Sequence, residues 1–256
     1  MNLRSFILSL IVSVAILSSA GCNSAPGKPG PGPAVARPDQ LLDFSTLYAQ
    51  NCASCHGVNG KNGAAISLAN PVYLAVAGVS NIQRVTSLGV PHTEMPPFAR
   101  SAGGMLTDRQ IAVLSQQMVA QWGNPSALSG ITPPPYAAST KGDPVAGKRA
   151  FIKFCSYCHI EAFYPNGLPT GAVSILLPQM PDKLAPGSLI DPAYLALISD
   201  QGLRSIILAG QTEQGAHDWR SYTQGHPMTD KDVTDIVAWL TSHRIATPGQ
   251  PYPSHP

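Results

Sequence analysis

The sequence predicts an all-α chain folded as two tandem domains, and an internal repeat is the main reason. The segment Pro71 to Gly89 (PVYLAVAGVSNIQRVTSLG) matches Pro192 to Gly210 (PAYLALISDQGLRSIILAG) without gaps; both begin Pro-x-Tyr-Leu-Ala and both end in Gly. The closing segments match too, Leu106-Thr107-Asp108 against Met228-Thr229-Asp230, and a Cys-x-x-Cys-His run precedes each middle segment. Strand signals are sparse, and the 256 residues suffice for about two domains of ordinary size.

Residues 1–21 read as an export signal. Arg4 is the only charge before an apolar run from Phe6 to Leu17, which is followed by the small residues Ser18, Ser19, Ala20 and Gly21. The run is short for a membrane span. Cys22 after Ala20-Gly21 resembles a bacterial lipoprotein cleavage site, where the cysteine is lipidated and becomes the new N-terminus. Ser19 departs from that pattern, which usually has Leu there. The competing reading is an ordinary signal peptide with an incidental cysteine. On the lipoprotein reading the chain is exported and anchored on the periplasmic side of a membrane by lipidated Cys22, since triple acylation holds firmly where a single chain does not.

Residues 22–38 are Pro/Gly-rich with almost no large apolar residues, an extended tether. The first domain is expected over 39–123. It opens on a helix-like stretch, Leu41 to Gln50, and closes on a helix that Thr107 caps with Gln110 three residues on, where Ile111, Leu114 and Met118 form the buried stripe. A proline cluster marks a linker over 124–142. The second domain is expected over 143–246, from the helix-like Val145 to Phe154 to a final helix capped by Thr229 with Asp232 three residues on and striped by Val233, Ile236, Val237 and Leu240. Residues 247–256 form a loose Pro-rich tail. The second repeat also carries about eighteen extra residues between His159 and Asp191, with no counterpart in the first.

Composition excludes one function class. The net charge is +2, only 12% of residues are charged, and the basic residues form no stripe, so no nucleic-acid partner is expected. Hydrophobic content is 44% but aromatics are 7%, with 25 prolines and 23 glycines. That balance suits small domains packed partly around a large apolar cofactor.

Cysteine usage names the cofactor. Apart from Cys22, the cysteines are Cys52, Cys55, Cys155 and Cys158, and His56 and His159 directly follow the two pairs. Two cysteines three positions apart at the end of a helix form thioethers to both vinyl groups of one porphyrin, and the next residue then offers its imidazole to the iron from below. No further Cys or His cluster completes a zinc site with these pairs, and a thioredoxin-like motif needs a βαβ context that is missing. Two covalent haem c groups are expected, on Cys52/Cys55/His56 and Cys155/Cys158/His159.

With these residues in view, both halves resemble class I cytochrome c domains. Asn51-Cys52-Ala53-Ser54-Cys55-His56-Gly57 and Glu94-Met95-Pro96-Pro97-Phe98 match the attachment and axial-ligand motifs in the first repeat, and Phe154-Cys155-Ser156-Tyr157-Cys158-His159 matches the attachment motif in the second. The resemblance implies a low-spin haem wrapped by short helices, with crossing N- and C-terminal helices. It implies Met95 as the second axial ligand of the first iron; a thioether favours ferrous iron and raises the potential. Met105 and His92 are weaker candidates.

The second repeat departs from the pattern. Sliding the middle segments over one another puts Ala216 opposite Met95, whereas sliding the final helices puts His217 there. His217 is the candidate on register. Met228 is the alternative, although it also suits a hydrophobic staple with Val233, as Leu106 does with Ile111. His226 reads as a loop residue. Bis-His coordination by His159 and His217 would lower the second potential relative to the first. Arg84, Arg204 and Arg220 are candidate propionate partners or solvated arginines, and Trp219 and Tyr222 are candidate apolar cover for the second haem.

A saturated haem has no open position for substrate, so the expected function is electron transfer beside a membrane respiratory complex with redox-protein partners, not enzymatic catalysis. The alternative is a di-haem enzyme, peroxidase-like or reducing a small ligand, with an open second haem. The mature polypeptide, expressed with a working haem-attachment apparatus, is expected to be coloured and to weigh more than its amino acids plus lipid; a colourless product of bare polypeptide mass would refute the haem reading.

Overall fold

The computed structural model describes residue 32 and residues 37–156, 158–159, 188–220 and 226–245. The signal segment, Cys22, nearly all of the tether, most of the insertion after His159, Tyr222 and the tail lie outside the described residues. The chain divides into two compact units, Met1–Gln40 and Leu41–Pro256. The first contains a short 3-10 helix, Pro38–Gln40. The second contains both repeats.

The described residues are all-α, as expected; they include no strand, only two isolated bridges, Ala99–Leu106 and Gln211–Ala216. Asp43 starts helix α1 (Phe44–Asn51) by accepting from the Thr46 amide at 2.8 Å. A one-turn helix, α2 (Ala53–His56), comes next. Helix α3 (Pro71–Leu88) begins with proline at its first position, where the missing N–H costs nothing, and Asn70 caps it. Gly78, at φ 66°, breaks α3 partway. Helix α4 (Asp108–Trp122) carries the expected Thr107/Gln110 capping box.

The second repeat has the same plan. Helix α5 (Pro144–Phe154) is capped by Asp143. The middle segment forms two helices, α6 (Pro192–Leu197) and α7 (Asp200–Ala209). The interruption comes at Ser199, the position that aligns with Gly78. The first repeat breaks its helix with a left-handed glycine, whereas the second uses a Ser cap that accepts from the Gly202 amide at 3.0 Å. Helix α8 (Asp230–Thr241) carries the Thr229/Asp232 capping box.

Each repeat is held by its first and last helices. In the first, Trp122 at the end of α4 meets α1 edge-on, with ring centroids 5.3 Å from Phe44 and 5.0 Å from Tyr48. In the second, Phe151 of α5 packs 4.5 Å from Trp239 of α8. There the backbones nearly touch: a Cβ on Gly147 would lie 1.9 Å from the Asp235 carbonyl oxygen, so only glycine fits the crossing. The stripes read from the sequence are the core. Ile111, Leu114 and Met118, and likewise Val233, Ile236 and Leu240, are all buried, each contributing about 1.5–3 kcal/mol by leaving water.

The two repeats form one unit because polar side chains tie them together. Asn70 is buried; its Oδ1 accepts from the amides of Val72 and Tyr73, while its Nδ2 donates to the carbonyls of Ala209 (3.0 Å) and Gly210 (3.3 Å) in the other repeat. Arg204 is 2% exposed and is spent on the linker and α8. It donates to the carbonyls of Pro135 and Tyr136, to Thr234 Oγ1 at 2.9 Å and to Asp230. Arg204 is therefore neither a propionate partner nor a solvated arginine, the two roles its sequence position suggested. A guanidinium this deep in the fold must be fully paired, and backbone carbonyls of the linker supply what carboxylates alone do not. Gln201 adds a bond to the Tyr136 carbonyl at 2.8 Å, and Arg220 reaches the Ala127 carbonyl at 2.9 Å. The linker is thus pinned at both ends.

The position aligned with Asn70 is Asp191, an equally good cap. Only an amide both caps a helix and donates across the interface. Asn70→Asp is expected to keep the cap yet destabilise the chain by about 1–3 kcal/mol, because a carboxylate would face two carbonyls with no proton to share. Chemical denaturation checks this; an unchanged midpoint would remove the amide from the interface.

Candidate haem sites

The first attachment turn is built by α1 running out. The Cys52 amide still bonds to the Tyr48 carbonyl at 2.8 Å, and then the chain tightens: the amides of Cys55 (3.2 Å) and His56 (3.0 Å) both converge on the Cys52 carbonyl. This brings Cys52, buried against the core, and Cys55, exposed, to one turn with His56. The second turn repeats the geometry. The amides of Cys158 (3.1 Å) and His159 (2.9 Å) converge on the Cys155 carbonyl as α5 ends. None of the four cysteines is in a disulfide.

His56 is oriented by the chain just beyond it. Gly57, at φ 77°, turns the backbone sharply, and a Cβ there would lie 1.7 Å from the Lys61 carbonyl oxygen. The returning chain bonds its Ala65 amide to the Cys55 carbonyl at 2.9 Å and sets the Ile66 carbonyl 2.8 Å from His56 Nδ1. A carbonyl only accepts, so Nδ1 carries the proton and Nε2 keeps its lone pair for a metal. Burial holds the imidazole below the ordinary histidine value, which favours the neutral, ligating form. His159 is likewise shifted down by burial. Among the described residues its buried Nδ1 has no hydrogen-bonding partner. Thiols on a helix-ending turn beside a buried, neutral imidazole are the donor set that a covalent haem needs, so the residues present fit that group.

Met95 lies half-buried in a loop docked on the end of α3. Gly89, at φ 68°, lets the loop close: a Cβ on it would meet Pro96, Pro97 and the Met95 carbonyl. The Val90 amide donates to the Met95 carbonyl at 3.0 Å, and the Phe98 amide to that of Thr86 at 3.1 Å. Met105 is 80% exposed, and His92 is exposed at φ 61°.

The matching loop of the second repeat decides a register that the sequence left open. Gly210 has φ 69°, and a Cβ on it would meet the His217 carbonyl group and the Asp218 amide nitrogen, as Gly89 meets Pro96 and Pro97. The Gln211 amide donates to the Ala216 carbonyl at 3.0 Å, as Val90 does to Met95. Ala216 therefore stands at the Met95 position and His217, exposed, at that of Pro96. The registers part later. The Leu106 amide bonds to the Phe98 carbonyl at 2.8 Å and the Met228 amide to the Trp219 carbonyl at 2.9 Å, spans that differ by one residue. The extra residue falls after Trp219, downstream of the loop. Met228 takes the place of Leu106, and both are buried above the last helix. Trp219 is buried in the second core, with Arg220 stacked over it at 4.8 Å. Arg220 is committed to Asp218, at 2.5 Å. His226 and Arg84 are exposed.

Sequence reasoning missed the Ile66 carbonyl and the Tyr48 hydroxyl, which donates to the Gly57 carbonyl at 2.9 Å and braces the turn after His56. Nothing in a sequence marks which carbonyl a folded loop will present, although a Tyr four residues before the first Cys is at least positioned to look back at the turn. Burial raises the Tyr48 phenol to about 12. Its native value lies above the ordinary one of 10.0, so the stability from the neutral phenol is complete below pH 10 and is lost as pH rises through 12. Tyr48→Phe is expected to cost about 1 kcal/mol at neutral pH and to flatten that alkaline loss; denaturation at neutral and alkaline pH checks both, and identical profiles would take Tyr48 out of the turn.

Residues 39–116 match the family model for cytochrome c oxidase, cbb3-type, subunit III. No curated protein and no solved structure matches the chain. The match covers the first Cys-x-x-Cys-His turn, the helical middle and the Met95 loop, so a c-type cytochrome domain that uses haem c for electron transfer occupies residues 39–116.

Proposed function

We propose that the chain carries two covalent haems, on Cys52/Cys55/His56 and Cys155/Cys158/His159, and passes electrons between redox proteins of a respiratory chain. The observation behind this reading is the doubled turn. The same two amides converge on the first cysteine's carbonyl in each repeat, and the second amide belongs to the histidine itself, buried at His56 and half-buried at His159. The haem supplies the redox chemistry, and the polypeptide supplies position, burial and ligands. In the first repeat Met95 would hold the iron through its soft sulfur, which would keep that potential high. The cbb3-type subunit III match supports a place beside a terminal oxidase or a similar membrane complex. Lipidated Cys22 keeps the protein at the outer face of that membrane, with residues 22–38 as the tether.

The test is haem content and redox behaviour of the exported chain. Two haems per polypeptide are expected by haemochrome assay, falling to one in Cys155→Ala/Cys158→Ala, with reversible one-electron steps in a potentiometric titration. Met95→Ala is expected to lower the first potential and to remove the red sulfur-to-iron charge-transfer band. A wild-type chain with one haem would refute the two-haem reading.

A further inference from the structure

We propose that the second repeat binds a small neutral diatomic ligand, such as carbon monoxide or nitric oxide, in the place that Met95 fills in the first. This rests on the reading that Cys155, Cys158 and His159 carry a haem. The geometry is that of the paired ligand loops. Two independent backbone markers, the close approach at Gly89 and Gly210 and the amide bonds to the carbonyls of Met95 and Ala216, align the ligand loops residue for residue.

Alanine has no donor atom. Relative to methionine it also lacks Cγ, Sδ and Cε, three heavy atoms against the two of a diatomic ligand. The other candidates are placed elsewhere by the same backbone. His217 holds the Pro96 position and is exposed, while Met228 is buried as the counterpart of Leu106. Among the described residues, the two arginines singled out in this repeat favour a neutral ligand over an anion. Asp218 accepts from Arg220 through both carboxylate oxygens, and Arg204 is consumed by Asp230, Thr234 and the linker carbonyls, so neither guanidinium is left to hold an anion. Apolar Trp219, three residues on, lines the same loop. The second repeat is thereby distinguished from the first by what it admits, a distinction a pure electron relay does not require.

The experiment titrates the fully reduced, exported full-length protein with carbon monoxide and reads the haem absorbance. Haem content is measured first, so that loss of the second haem, which sinks the two-haem reading, is told apart from failure of this one. Wild type is expected to bind carbon monoxide at half of its haem. Ala216→Met is expected to weaken that binding by on the order of a hundredfold, because a tethered thioether competes at high effective concentration. The same variant should add sulfur-to-iron charge-transfer intensity in the oxidised spectrum. His217→Ala and Met228→Leu are expected to change neither readout. No binding by wild type would overturn the proposal. So would binding that appears only in His217→Ala or Met228→Leu, which would name the residue as ligand, or binding that Ala216→Met leaves unchanged, which would put the opening elsewhere.

Discussion

The convergence of two amides on one cysteine carbonyl is the constraint on which the rest of each repeat depends. At i, i+3 and i+4, Cys52, Cys55 and His56 lie on one face of a helical turn. Ending α1 with a tightened turn keeps them together where the chain leaves the helix, and the cost of a helix end, its unsatisfied carbonyls, is offset because the turn itself uses them. The imidazole then needs a partner for Nδ1, and Gly57 allows the chain to double back and supply the Ile66 carbonyl. Tyr48 ties that return to the helix the turn grew from. Helix, turn, glycine and carbonyl act as one device for presenting Nε2.

A second level of order joins the repeats. Asn70 and Arg204 each serve two masters: Asn70 caps α3 and crosses to α7, and Arg204 lies between α8 and the linker. The linker that the proline cluster marks is part of the packed unit, with Tyr136 buried in the first core and Leu128 against the second. Val72 and Val76 of the first repeat pack against the second core, and Ala209 of the second lies in the first. Electron transfer depends steeply on geometry, so a shared core would suit the two proposed haems better than two beads on a string would.

Most of the fold was legible from patterns of short range. The caps at Thr107 and Thr229 and the stripes of α4 and α8 depend on neighbours within a turn or two, and the structure has them where the sequence puts them. The two Cys-x-x-Cys-His turns stood out as candidates because thioether chemistry demands a fixed spacing, and the structure folds both alike. Arg204 was not, because its partners lie about thirty and seventy positions away and no local signal says which side chain a linker will fold across. The break in the middle segment was half-visible: Gly78 hints at it, whereas Ser199 looks like any helix residue until its capping bond is seen. The ligand loop of the second repeat was ambiguous for a definite reason. Two anchors gave registers that differed by one, and only backbone bonds show on which side of the loop the extra residue lies.

That extra residue has a bearing on how such a loop changes over generations. Because the Trp219 pairing closes the segment behind Ala216, a codon gained or lost between Trp219 and Met228 leaves the upstream backbone where it was. Length variation there falls outside the loop that Gly210 closes, whereas a replacement at position 216 lies within it. Descendants of such a chain are free to reshape the stretch beyond the tryptophan, while, on the two-haem proposal, the choice between a closed and a ligand-accepting second centre stays with one side chain.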